Sequence, residues 1–263
     1  MTSVGTVHIV GAGPGDPELL TLKAHALLRR ADVVLHDDLV APQIVAIAQK
    51  TAQIVNVGKR CGRKNITQAQ VNRFMIDAAA RGLAVVRLKS GDSGVFGRLA
   101  EEINALELAG IPYEVVPGVT AGMAAAASIG ASLTDRRSSS RVVFLTRHHA
   151  HGNATHSTED WTGIARDDTT IVVYMPGRDL SALRRELLDA GLAPEFPAVI
   201  VSRATTPDQR EWVTTISALD EAPPIDAPSI LLLGRSLGDL LLRASACSKL
   251  TSPANAPYPS GVT

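Results

Sequence analysis

Three short clusters in this chain combine residue types that could do chemistry. The first is Val10-Gly11-Ala12-Gly13-Pro14-Gly15-Asp16, where an apolar run turns into a glycine loop close to the N-terminus. Its glycines permit positive φ and close backbone approach, while Pro14 fixes one φ and removes a donor, so the loop has a set shape suited to a ligand held by backbone groups. It is not the dinucleotide fingerprint, which needs a third glycine at the matching offset and no proline as the helix opens. Nor is it a phosphate cradle, because no Gly-Lys-Ser/Thr follows and the nearest lysine, Lys23, lies in the next helix. The plain alternative is a structural turn between strand and helix. The second cluster, His36-Asp37-Asp38, puts carboxylates at the end of a short apolar run, where they could stabilise positive charge, move a proton or simply open the next loop. The third, Lys89-Ser90-Gly91-Asp92-Ser93-Gly94, is another polar glycine loop behind an apolar run. His148, His149, His151 and His156 invite a zinc reading, but they lack a neighbouring cysteine or a helical i, i+4 pair, and no metal is expected.

The elements that would carry these clusters alternate. Residues 19–30 read as a helix, 31–35 as a strand, 42–49 as a helix and 54–57 as a strand. Thr67 with Gln70 makes a capping box for a helix reaching 81. A buried-type strand at 84–88, a helix at 99–109, a strand at 113–116 and a small-residue helix at 121–129 follow. This order predicts an α/β fold with a mostly parallel sheet covered by helices, its ligands gathering outside the carboxyl ends of the strands. The charged and serine-rich stretch Asp135-Arg136-Arg137-Ser138-Ser139-Ser140 reads as a linker. Strands at 142–145, 170–174, 198–201, 211–215 and 229–233 and a helix at 180–190 then form a second set. The expected division is an N-terminal α/β domain over 1–134, a linker over 135–140, a C-terminal α/β domain over 141–239 and a tail over 240–263 with little periodicity.

Composition sets the outer limits. The chain has 263 residues, zero formal net charge and an apolar fraction of 45%, which describe a globular protein without bulk attraction for nucleic acid. Aromatic residues make up only 3%, too few for base-stacking platforms. Cys61 and Cys247 have no second pair, so neither a disulfide framework nor a zinc knuckle is expected, and a reduced cytoplasmic setting fits. No stretch approaches the length of a membrane span, and the N-terminus has no basic flank, so no membrane partner is expected.

Taken together, these motifs resemble the uroporphyrinogen-III C-methyltransferases, within the tetrapyrrole methylases. The resemblance rests on residues 10–22, on Ala31-Asp32-Val33-Val34-Leu35 with Asp37, and on Val57-Gly58-Lys59-Arg60. It continues through Val86-Arg87-Leu88-Lys89-Ser90-Gly91-Asp92 with Phe96-Gly97-Arg98 and Glu101-Glu102, through Val115-Val116-Pro117-Gly118-Val119-Thr120-Ala121, and through Tyr174-Met175 and residues 203–210. It implies two α/β lobes with S-adenosyl-L-methionine in the cleft between them, a homodimer, and transfer of two methyl groups to ring carbons of uroporphyrinogen III to give precorrin-2, with S-adenosyl-L-homocysteine as product. That cofactor is cationic at sulfur and has no phosphate, which suits a proline-broken glycine loop. Since many relatives are fused to a second enzyme for which this chain has no room, a stand-alone methylase is expected.

The resemblance further implies cofactor contacts at Pro14, Ser90, Gly91, Asp92, Val95, Thr120, Ala121, Met175 and Ala204, made largely by backbone. Asp92 would accept from the amino-acid or ribose end, its alternative being a helix-start carboxylate; Met175 could equally be core filler. A substrate with eight carboxylates needs cations, for which Lys59, Arg87 and Arg98 are the candidates, with Arg63, Lys64, Arg136 and Arg137 as lesser ones. Asp37 matches the family's aspartate after the second strand and would stabilise charge on the pyrrole nitrogen and help shift a proton. The departures are Ser90 for a second glycine, Ser93-Gly94 for a proline and a bulky residue, Leu99 for a small residue, and Asp135 and Arg147 where the family tends to have histidine and glycine; the last two would alter the charge offered to the substrate. A later precorrin, a non-catalytic tetrapyrrole binder and, more distantly, a nicotinamide dehydrogenase are the competing readings.

Overall fold

The computed structural model describes residues 4–58, 66–147, 161, 163–224 and 226–250, with the side chains of 245–250 left aside. Two five-stranded sheets organise it. The first contains β1 (Val7–Gly11), β2 (Val33–His36), β3 (Gln53–Asn56), β4 (Val85–Lys89) and β5 (Tyr113–Val116), in the order β3-β2-β4-β1-β5, and every pairing is parallel. Helices α1 (Leu22–Leu28) and α2 (Pro42–Val45) cover one face through Leu28 and Ile44; α3 (Gln68–Ala80) and α4 (Leu99–Leu108) cover the other through Val71, Met75 and Leu106. Both faces are therefore buried, which is why β1 and β4 read as apolar runs rather than alternating ones. Thr67 and Gln70 form the reciprocal capping box expected for α3, an arrangement worth about 1 kcal/mol.

Several boundaries differ from the sequence reading. The first helix begins at Leu22, not 19, because Asp16 and Pro17 start a separate 3-10 turn and Thr21 then caps α1 through Ala24 N–H. Helix α2 stops at Val45, four residues short of expectation.

The second sheet contains β6 (Arg141–Thr146), β7 (Thr169–Tyr174), β8 (Pro197–Ser202), β9 (Arg210–Thr215) and β10 (Ser229–Leu233), in the order β6-β7-β10-β8-β9. Only β6 and β7 pair in parallel; the β7-β10, β10-β8 and β8-β9 ladders are antiparallel, so this sheet is mixed. One face packs on α6 (Leu180–Asp189) through Leu183 and Leu187. The other receives Ala125 and Ala126 of α5 (Ala121–Ser128) against Val172, Val199 and Leu232. The small-residue helix thus joins the core of the second sheet although it precedes the expected linker. Within that linker, Asp135 and Ser139 close a tight bridge. Residues 238–250 form α7 (Gly238–Leu250), which corrects the expected unpatterned tail from 240: Leu237 is buried and Leu240 packs on the sheet, so the chain enters this helix already anchored.

Candidate functional site in the cleft

The loops after β1, β4 and β5 meet at three glycines. Gly13 N–H donates to Gly91 O at 3.1 Å and Gly91 N–H to Gly13 O at 2.7 Å. A Cβ on Gly118 would lie 2.4 Å from Gly91 O, and one on Gly11 would lie 2.6 Å from Gly118 N. Asp92 locks this junction: Oδ2 accepts from Gly118 N–H at 2.9 Å and Oδ1 from Gly94 N–H at 2.7 Å. Both carboxylate oxygens are engaged by loop backbone, so in this structure Asp92 is a clamp between the β4 and β5 loops, with only its remaining lone pairs free for a ligand.

From here the site reaches into the second lobe through Tyr174, whose hydroxyl shares a 2.7 Å hydrogen bond with Thr120 Oγ1 and accepts from Gly122 N–H at 2.9 Å. Burial raises the phenol above its ordinary pKa, against the pull of these two hydrogen bonds. Val95, Ala121 and Ala204 pack in the same cluster as Tyr174, and Phe96 lies 4.9 Å from its ring. Met175 follows with φ 50° and 46% exposure, so it is not core filler. Gly91, Val95, Thr120, Ala121, Met175 and Ala204 therefore form one neighbourhood, and Pro14 lines the adjoining cleft with Thr205, whose Oγ1 accepts from Asp16 N–H at 3.3 Å. Among the described residues the non-glycine positions with positive φ are Phe96, Arg98, Met175, Arg203 and Thr205, all in loops of this cleft. Such conformations cost about 1–3 kcal/mol each and gather at ligand sites.

Two hollows flank that neighbourhood. One, of about 710 Å3, runs between Pro14-Gly15-Asp16, residues 38–43 and residues 203–208. The other, of about 400 Å3, is lined by Asp37, Lys89, Ser90, Phe96 and Arg98 among others. Asp38 and Leu39 line both, so they are parts of one cleft.

In the wall of the smaller hollow sits a largely buried ion network. Arg87, expected to meet substrate carboxylates, is 4% exposed and makes four hydrogen bonds: Nη2 donates to Asp37 Oδ1 at 2.5 Å, Nε to Glu102 Oε1 at 3.0 Å, and Nη1 to the carbonyls of Leu35 and Leu88. It projects to the α3–α4 face of the sheet and, although held mainly by internal partners, is part of the lining of the smaller hollow. Lys89, two residues on and therefore on the same face, donates to both oxygens of the fully buried Glu102 at 3.0 Å. Burial works against the charge of Arg87, but Asp37 and Glu102 outweigh it and hold the guanidinium above its ordinary pKa. Burial, reinforced by Arg87, pushes the Lys89 amine below its own. Sequence reasoning assigned no role to Lys89, Glu102 or Tyr174; the available signals were their place in the motifs that carry the resemblance and a pair of cations at i and i+2 in an otherwise apolar strand.

The remaining candidates separate. Arg98 lines the smaller hollow, paired with Glu101 at 2.6 Å; that hydrogen bond raises its pKa. Lys59, with Arg63, Lys64 and the histidine run, lies outside the described residues. Asp135 is neutralised by Arg137, whose side-chain and backbone donors lower its pKa to about 2. Arg147 donates to Glu186 at 2.6 Å and to Pro176 O at 2.8 Å. Both added charges thus have local partners.

Ser93, standing where the family commonly has proline, is 1% exposed and its Oγ has no hydrogen-bond partner among the described residues. Removing an unsatisfied buried hydroxyl relieves about 1 kcal/mol or more. Ser93→Ala is therefore expected to raise the melting temperature by roughly 2–4 °C in a thermal scan, whereas an unchanged or lower value would mean that the hydroxyl has a partner.

A two-lobed α/β architecture with glycine loops at the carboxyl ends of its strands, and a cleft with an acid–cation network in its wall, has the features of a small-ligand site. Residues 6–220 match the Tetrapyrrole (Corrin/Porphyrin) Methylases, and the chain belongs to that family. It is 42% identical over 235 residues to a siroheme synthase of Psychrobacter sp., a match covering 88% of this chain and 48% of that protein, and 41% identical to a siroheme synthase of Hahella chejuensis, covering 88% and 49%. The chain spans about half the length of these curated relatives. Among solved structures, uroporphyrin-III C-methyl transferase from Thermus thermophilus complexed with S-adenyl homocysteine superposes with TM-score 0.76 at 37% identity, covering 89% of this chain and 100% of that one. A cobalt precorrin-4 methyltransferase superposes with TM-score 0.78 at 33% identity, covering 88% and 95%.

Proposed function

We propose that this chain transfers two methyl groups from S-adenosyl-L-methionine to ring carbons of uroporphyrinogen III, giving precorrin-2 by way of precorrin-1. The observation that carries this reading is the continuity of the cleft: Phe96 lines the hollow walled by Asp37 and also touches Tyr174, the centre of the expected cofactor contacts. Full-length similarity to the Thermus thermophilus enzyme supports the same substrate and cofactor.

The residues present suit that cofactor. A Cβ on Gly91 would meet only Ala121 N at 3.7 Å and Thr120 Cα at 3.9 Å, which leaves room for a ligand beside backbone polar groups. Among the expected contacts at Pro14, Ser90, Gly91, Asp92, Val95, Thr120, Ala121, Met175 and Ala204, Asp92 alone carries charge, and its sign is compatible with a sulfonium. When bound, the cofactor supplies an activated methyl group. The chain's own task is then to hold the ring carbon in line and exclude water, with Asp37 facing the charge that develops on the pyrrole nitrogen. Arg98 and Lys59 are the proposed partners of substrate carboxylates. A homodimer in the cytoplasm completes the proposal; light scattering on the purified protein tests the dimer. Among the described residues no helix is long and apolar enough to cross a membrane.

Anaerobic incubation with uroporphyrinogen III and S-adenosyl-L-methionine, followed by mass analysis of the tetrapyrrole, tests the reaction. A gain of two methyl groups is expected. No gain despite cofactor binding would move the assignment to a later precorrin, the second reading favoured by the cobalt precorrin-4 methyltransferase superposition.

A further inference from the structure

Glu102 is fully buried on α4 and collects four donor contacts: Arg87 Nε and Lys89 Nζ at 3.0 Å and Gln68 Nε2 at 3.2 Å on Oε1, with Lys89 Nζ again on Oε2 at 3.0 Å. Taking these charges out of water is costly, and apolar residues of similar volume often serve stability as well or better. The geometry supplies a reason for their presence. Glu102 accepts from Arg87 Nε, two backbone carbonyls accept from Nη1, and among the described residues the side chain that accepts from Nη2 is Asp37, 31% exposed at the wall of the hollow. A planar guanidinium fixed at Nε and Nη1 presents Nη2 to its carboxylate in a fixed direction.

We propose that Glu102 is a positioning residue, which holds Arg87 at Nε and thereby fixes the Asp37 carboxylate at the wall of the cleft. This rests on the proposed substrate and on the role proposed for Asp37. It assigns the buried charges to turnover and not to stability or cofactor binding.

Two charge-balanced variants separate these roles, E102Q/K89M and E102M/K89M. Both lose the Lys89–Glu102 ion pair, and they differ in whether residue 102 still offers Arg87 Nε an acceptor. Turnover of uroporphyrinogen III is expected to be at least about tenfold lower in E102M/K89M than in E102Q/K89M, within the roughly hundredfold that a misplacement of about 1 Å can cost. KM for the tetrapyrrole, S-adenosyl-L-homocysteine affinity and melting temperature should stay closely similar between the two. Placed in a D37N background, the same pair should differ no further, since Glu102 acts through Asp37. Equal kcat in the two variants, or a difference that persists in the D37N background, would overturn the proposal. So would a loss of kcat that tracks a loss of melting temperature, or in the extreme an E102M/K89M that does not fold, because Glu102 would then be structural. Wild-type turnover and D37N are measured alongside. An inactive wild type sinks the substrate reading and a fully active D37N sinks the role of Asp37, and either removes the basis for Glu102 as well.

Discussion

Replacing Asp37 by asparagine is expected to lower kcat about 10²- to 10³-fold, the range for losing an acid–base or charge-stabilising group. The amide would keep the shape of the side chain and an acceptor for Arg87 Nη2, so the change isolates charge. Arg87 retains Glu102 and two carbonyls, and Asp37 is partly solvated, so the stability cost should stay near about 1 kcal/mol and not reach the several expected when a buried ion loses its only partner. Affinity for S-adenosyl-L-homocysteine should be nearly unchanged, because most of the expected cofactor contacts gather around Tyr174, away from Asp37, and of them Ser90 lines the same hollow. Single-turnover kinetics with uroporphyrinogen III, beside calorimetric titration of the cofactor product, check both halves. Turnover within a factor of a few of wild type would make Asp37 a loop-opening residue and nothing more.

The sequence made parts of this site readable for local reasons. A glycine loop behind an apolar run, the Thr67–Gln70 capping box and the bounds of β5 and β10 all depend on neighbours along the chain, and all are present. What it concealed depends on contacts across the fold. Arg87 reads as a cation at the end of a strand; its burial follows from Glu102, fifteen positions away, meeting it from the next helix. Asp92 reads as a ligand acceptor, but the structure gives its oxygens to Gly94 and to Gly118, twenty-six residues on. The left-handed backbone at Phe96, Met175 and Arg203 has no sequence signature, since none of these residues prefers it. The mixed order of the second sheet was equally hidden, because strand direction is set by pairing partners and not by the strand's own residues.

The glycine junction makes the strongest prediction about the fold itself. Gly118→Ala would put a methyl 2.4 Å from Gly91 O and 2.9 Å from the Gly11 backbone, and none of these atoms belongs to a side chain that could swing away. Relief requires separating the β1, β4 and β5 loops, which would also break the Gly118 N–H bond to Asp92 and disturb the Gly13–Gly91 pair. The expected cost is about 3 kcal/mol or more, at the upper end for overpacking, and at roughly 2–4 °C per kcal/mol the melting temperature should fall by about 10 °C. Cofactor binding should be lost with it, since Gly91, Thr120 and Ala121 are positioned by the same junction. Gly110→Ala is the control that separates contact from conformation. Gly110 follows α4 with φ 65°, but nothing lies within 4 Å of its added Cβ, so alanine there meets only the left-handed penalty of about 1 kcal/mol. Comparable losses in the two variants would mean that the contacts around Gly118 relax at little cost, and that the three loops can part more easily than the junction implies.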